Sequence, residues 1–205
     1  MQTRPQRATD RSRRLEAHKV FLLDFLRRPK EVASVIPSSR FVERRLIREA
    51  LIDQAETIVE LGPGVGGTSR AFLKSMSPTA RLLCIEINPR FAHHLRKEIT
   101  DPRIIIHEGD ARDLPAILTR YNLDTPQAVL SGIPFSTLPD KVGLGIIQAV
   151  HDCLAPSGRF VAYQVRDRVA VLGRNVFGKP KASTELLNAV SYTHLRAHET
   201  DSYVV

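Results

Sequence analysis

Tryptophan is absent from this chain, and cysteine and methionine occur only twice each. Two cysteines, Cys84 and Cys153, are too few for a disulfide framework, so burial must hold the fold, and a reducing compartment suits it. Cys84 lies inside an apolar run and reads as a small core residue. No apolar run approaches the roughly 20 residues that cross a bilayer. The N-terminus opens on a polar, basic stretch, with neither the apolar segment nor the small-residue cleavage site of a secretory leader. Internal repeats are also missing. What remains is a chain of 205 residues with ordinary hydrophobic content, enough for one α/β domain with its own core.

Acids are the other scarcity: 22 against 30 Lys and Arg, a net charge of +8. The surplus is local. Residues 1–48 carry 13 bases and 5 acids, and the remaining 17 bases and 17 acids cancel. A neutral body with a basic N-terminal segment points to an anionic partner, either phospholipid head groups or nucleic acid. A solvated basic tail is the plain alternative.

Along the chain, residues 1–12 are polar, basic and aperiodic, and read as a disordered tail. Residues 13–28 predict an amphipathic helix with Leu15, Leu22, Phe25 and Leu26 on one face, and Arg13, Arg14, Lys19, Arg27 and Arg28 around it. Such a helix can lie in a membrane interface or pack on its own domain, and both readings stand. Pro29 ends it. A second helix is predicted over 40–53, with Phe41, Val42, Leu46, Ile47, Ala50 and Leu51 inward. These two helices make an N-terminal region over 13–55. Strands are then predicted at 57–61, 81–87, 103–107, 127–132 and 159–165. Helices at 67–76, 89–98, near 113–120 and near 140–154 fall between them. This alternation gives an α/β fold with a mostly parallel sheet and helices on both faces. Residues 166–188 read as irregular and close a domain spanning 56–188.

Chemistry concentrates at the strand ends. The segment IVELGPGVGGTSR runs from an apolar strand through Glu60 into a turn with Gly62, Gly64 and Gly66, then into a helix. That order exposes backbone N–H groups to a nucleotide-like ligand. The next apolar run ends on Glu86-Ile87, the third closes on Gly109-Asp110-Ala111, and the fourth ends on Ser131. Ligands bind in the crevice at such strand ends.

Taken together, these pieces resemble the S-adenosylmethionine-dependent methyltransferases of the Rossmann-like class I. The resemblance implies S-adenosylmethionine as cofactor and a role for each strand-end residue. Gly62, Gly64 and Gly66 let the backbone approach the methionine moiety. Glu60 reaches its ammonium, directly or through water. Glu86 accepts from the ribose hydroxyls, Asp110 accepts from the adenine amino group, and Ile87 and Ala111 flank the ring. Ser131 completes the set.

The segments FLLDFLRRPKEVASVIPSS, CIEINPRFAHHLR, GDARDL, SGIPFSTLP, GRFVAYQVR and LGRNVFGKP carry a narrower resemblance, to the soluble bacterial phospholipid N-methyltransferases, relatives of the ribosomal RNA adenine dimethylases. It implies methylation of phosphatidylethanolamine toward phosphatidylcholine. The protein would sit peripherally on the cytoplasmic face of an anionic membrane, and no metal is needed. Adenine-N6 methyltransferases carry an Asn or Asp at the fourth strand's tip, where this chain has Gly132-Ile133-Pro134-Phe135. That departure disfavours the RNA adenine alternative and nucleic acid as a partner. Phe135 and Tyr163 are the expected catalytic residues, as a cation–π wall for the amine. Tyr163 could also relay a proton, or be an ordinary edge tyrosine.

After Asn188 the chain leaves the family pattern. Residues 189–205 resemble a translated sequencing adapter, so a non-native or disordered tail is expected, with a sheet lacking its last strand or strands. A truncated fragment that binds cofactor without turnover is the further alternative. His194 and His198 stand four apart in this tail, but no third ligand accompanies them, and a metal site is not expected there.

Overall fold

The computed structural model describes residues 40–164, 168–177, 181–185 and 190–196. The helix expected over 13–28 lies outside the described residues. The first described element is helix α1, Arg40–Ala50. It buries Val42, Leu46 and Ala50, one residue per turn, so its apolar stripe is narrower than expected. Ile47 and Leu51 are half-buried and Phe41 is exposed.

Strands β1 (Thr57–Leu61), β2 (Arg81–Glu86), β3 (Ile104–Glu108), β4 (Ala128–Ser131) and β5 (Arg159–Gln164) all run parallel. Helices α2 (Gly67–Ser75), α3 (Pro89–Glu98), α4 (Leu114–Arg120) and α5 (Asp140–Cys153) connect them. The order in the sheet is β3-β2-β1-β4-β5, so the chain reverses its direction of winding between β1 and β4. At that switch point the helices on either side diverge and leave a crevice at the strands' carboxyl ends.

The two faces of β1 explain the layers, because alternate residues point to opposite sides. Val59 and Leu61 join Leu83, Ile85, Leu114, Ile147 and Phe160 in one core cluster. Ile58 and Glu60 point to the opposite face, where Leu46, Phe72, Leu82 and Leu95 are also buried. Glu60 is therefore a carboxyl group carried by the strand pattern into a core face.

Two expectations are corrected here. The stretch 166–188 is not irregular: Arg168–Phe177 forms helix α6, and Lys181–Glu185 forms strand β6. Val169 and Leu172 of α6 join the core. The sheet does not lack its last strands either. Val190–Arg196 forms β7, antiparallel to both β5 and β6, which completes the order β3-β2-β1-β4-β5-β7-β6. The physical reason is that an open β5 edge presents unpaired N–H and C=O groups. Any extended segment free of Pro and Gly can pair there through its backbone, and VSYTHLR includes Val190, Tyr192 and Thr193, which favour strands. The expectation of a disordered tail thus fails for 190–196, while 197–205 lie outside the described residues.

Candidate active site

Three backbone bonds carry the ladder one residue past the strand ends. Gly62 N–H donates to Ile85 O (2.9 Å), Gly109 N–H to Glu86 O (3.0 Å), and Gly132 N–H to Leu61 O (2.9 Å). The tips of β1, β2, β3 and β4 are thereby held side by side, and with them the sequence-predicted residues at those tips. Gly62, Gly64 and Gly66 all have positive φ. Gly66 lies against Leu95 and Ile99, where a Cβ would collide. Gly64 differs, because a Cβ there would meet nothing within 4 Å. Its backbone borders open space, as a loop that cradles a ligand must.

Glu86 is buried at the tip of β2. Its Oε2 accepts from Gly64 N–H (3.0 Å) and its Oε1 from Asn88 N–H (2.9 Å). Burial raises its pKa, and the N–H groups of Asn88 and Gly64 pull it back. Asn88 then caps α3 by accepting from Arg90 N–H. Beside it, Ile87 is 43% exposed, an apolar surface at the crevice rim, whereas Ala111 is buried. Asp110 accepts from Arg112 N–H (2.9 Å) and pairs with its guanidinium (2.6 Å). Ser131 is fully buried, and its hydroxyl accepts from Ile133 N–H (3.2 Å).

Glu60 sits beneath the glycine turn, fully buried. One carboxylate oxygen accepts from the Thr68 hydroxyl, and the other accepts from Ser69 (2.5 Å) and the Cys84 thiol (3.6 Å). Burial pushes its carboxyl above the usual range, and these donors lower it. Sequence reasoning missed Thr68 and Ser69 as site residues and took Cys84 for a core residue only. A signal existed: an acid on a core-facing strand position needs buried donors, and the first turn after the glycines supplies two hydroxyls.

Phe135 is corrected. Its ring is fully buried, close to Gly143 of α5, and offers no face to an amine. Tyr163 is half-buried, and its hydroxyl lies 3.3 Å from Thr68 Oγ1. A Cβ at Gly132 would stand 2.8 Å from that hydroxyl and 3.0 Å from Gly62 O. The tip of β4 is therefore closed by a phenol from β5 and has no side chain of its own. Burial and the nearby Glu60 charge push the Tyr163 pKa up, so the phenol keeps its proton. Among the described residues no His, Cys, Asp and Glu cluster could hold a metal.

A methyltransferase-domain family model matches residues 58–158, from β1 to just before β5. The ornithine lipid N-methyltransferase of Singulisphaera acidiphila is 32% identical over 142 residues, covering 69% of this chain and 74% of that protein. The chain belongs to the class I S-adenosylmethionine-dependent methyltransferases. A ribosomal RNA small subunit methyltransferase A from Caulobacter vibrioides is 34% identical over 97 residues, but this chain covers only 35% of that protein's length. Among solved structures, an O-methyltransferase from Bacillus cereus in complex with S-adenosylhomocysteine superposes with a TM-score of 0.64 at 12% identity. It covers 87% of this chain and 91% of its own, a likeness of fold alone. The residues present fit the cofactor of such a methyltransferase: an open glycine backbone at Gly64, an acid at the tip of β2, and an exposed apolar side chain beside it.

Proposed function

We propose that this methyltransferase methylates the primary amine of a membrane lipid, with phosphatidylethanolamine as its substrate. The observation that carries the reading is the tip of β4. Gly132 offers no amide or carboxylate to hold a flat heteroaromatic amine, and the Tyr163 hydroxyl occupies the adjoining space. A phenol suits a small, flexible amine, as either hydrogen-bond partner or ring face. The likeness to a lipid N-methyltransferase supports the same class of acceptor. So does charge: Arg40, Arg44, Arg70 and Lys74 outnumber Glu43 along one groove between α1 and α2. No helix among the described residues is long and apolar enough to cross a membrane.

Glu86 takes the ribose hydroxyls in this reading, Asp110 the adenine amino group, and Ile87 and Ala111 the ring faces. The Gly62–Gly66 turn takes the methionine carboxylate near the α2 N-terminus, and Ser131 bounds the crevice floor. Glu60, with its oxygens held by Thr68, Ser69 and Cys84, supports the turn from below and reaches the ammonium only through water. S-adenosylmethionine supplies an electrophilic methyl on a good leaving group. The protein therefore contributes mainly alignment and exclusion of water.

The ribosomal relatives favour one second reading, RNA adenine methylation. Transfer of labelled methyl from S-adenosylmethionine separates the readings. Label is expected in phosphatidylethanolamine presented in anionic vesicles and not in small-subunit RNA. Label in RNA alone would overturn the proposal. Label in ornithine lipid but not in phosphatidylethanolamine would keep the lipid amine and correct the head group.

A further inference from the structure

Glu60 does more than fill a core position. Four groups from two strands and one helix meet there: Glu60 of β1, Thr68 and Ser69 of α2, and Cys84 of β2, which pairs with Glu60 in the β1–β2 register. Tyr163 of β5 joins through Thr68, and its phenol also interacts with Glu60 directly. The direction of the hydrogen bonds follows from counting protons. A threonine hydroxyl has one hydrogen, and Thr68 gives it to Glu60. Its contact with Tyr163 must then use a Thr68 lone pair, so the phenol is the donor. That leaves the lone pairs of the Tyr163 oxygen turned away from Thr68, next to Gly132, where a side chain would otherwise stand.

The same heavy atoms support a second proton arrangement. If Glu60 holds a proton, it can donate to Thr68, Thr68 to Tyr163, and the Tyr163 proton then faces the crevice. We propose that Tyr163, Thr68 and Glu60 form a proton relay that takes the proton released when the acceptor amine is methylated. This rests on the lipid-amine reading above. The balance is simple. The bond from methyl to nitrogen forms as the bond from methyl to sulfur breaks, and the nitrogen becomes a cation. One N–H proton passes to the Tyr163 oxygen as the phenol proton moves to Thr68 Oγ1. The Thr68 proton moves to the Glu60 carboxylate, and the net change is one proton on Glu60. Run before transfer, the same path turns a bound ammonium into the free amine that can attack. Tyr163 is then a catalytic residue, while Thr68 and Glu60 are positioning residues acting through it. The raised carboxyl of Glu60 suits the end of such a path, since it is a stronger base than an ordinary carboxylate.

The test uses Thr68→Val, which removes the Thr68 step, Thr68→Ser, which keeps a hydroxyl, and Tyr163→Phe, which removes the phenol from both partners. It compares methyl transfer to phosphatidylethanolamine vesicles across pH at saturating S-adenosylmethionine. General-base relays contribute roughly 100-fold or more. Thr68→Val and Tyr163→Phe should therefore lose about 100-fold near pH 7 and under about tenfold near pH 9.5, where solvent supplies the free amine. Thr68→Ser should restore the parent profile. A readout independent of turnover is the infrared titration of the Glu60 carboxyl, assigned by its loss in Glu60→Gln. It should move to higher pH in Thr68→Val, because a donor is removed. Equal losses at both pH values, or an unmoved Glu60 titration, would overturn the relay. If the parent transfers no methyl to the lipid, the functional reading itself fails, and the infrared result still decides whether Thr68 is coupled to Glu60.

Discussion

At the scale of the residue, Glu86 and Glu60 show how position along a strand divides two similar side chains. Glu86 ends β2 with backbone donors and an open neighbour at Gly64. Glu86→Ala should weaken S-adenosylmethionine binding by about 1.5–3 kcal/mol, the range for a hydrogen bond to a charged group. Calorimetry on the folded variant checks this, and unchanged affinity would remove the ribose assignment. Glu60 faces the core, and its pKa stands above the ordinary value of 4.5. The folded state therefore holds the proton more tightly than the unfolded chain. The sign follows: this contribution to stability is full below the unfolded value and is lost as pH rises through the folded one. Glu60→Gln lacks that titration. The melting temperature of the parent, measured against Glu60→Gln, should fall as pH rises from about 4.5 toward neutrality. A difference that stays flat across that range would contradict the assignment. The thiols follow the same logic. Cys84 is buried with its pKa pushed well up, and Cys153 is pushed up to about 12, both first by burial. Both should resist alkylation at neutral pH in the folded protein and react fully in denaturant.

At the scale of the element, β7 is the place where stability can be tested. It pairs with β5 from Arg159↔Arg196 to Gln164↔Ser191, and with β6 beyond. Deleting 190–205 would uncover the β5 edge and strand β6. A loss of more than about 4 °C in melting temperature is expected, since each 1 kcal/mol is worth roughly 2–4 °C at this size. An unchanged melting temperature would show that the sheet does not depend on β7. The five parallel strands were legible because parallel strands buried on both faces are nearly continuous apolar runs, as in TIVEL and RLLCIE. Their boundaries fall within a residue of those expected. β6 and β7 were not legible, because KASTE and VSYTHLR have no apolar run, and what holds them is a backbone ladder that leaves no mark in composition. The site divides the same way. Acids and glycines at strand tips are visible as breaks in apolar runs. The burial of Phe135 and the meeting of Tyr163 with Thr68, 95 residues apart, depend on the register of β4 and β5 against β1.

At the scale of the whole molecule, charge and site must work together for the chain to act on a lipid. The surplus of +8 resides in residues 1–48, and part of it reaches the described groove through Arg40 and Arg44. Reversing Arg27 and Arg28 to Glu should lower flotation with anionic vesicles, and rising salt should do the same to the parent as the Debye length shrinks to about 3 Å at 1 M. Equal flotation of variant and parent would refute an electrostatic anchor in that segment. We propose, more narrowly, that the crevice at β1 and β4 delivers a methyl group to a lipid amine. Its most direct test is transfer of labelled methyl from S-adenosylmethionine to phosphatidylethanolamine in anionic vesicles, by the parent and by Glu86→Ala at equal concentration. Label is expected in the lipid with the parent, and a loss of about tenfold or more with the variant at subsaturating cofactor. Label absent from the lipid while S-adenosylmethionine binds the parent normally would contradict it.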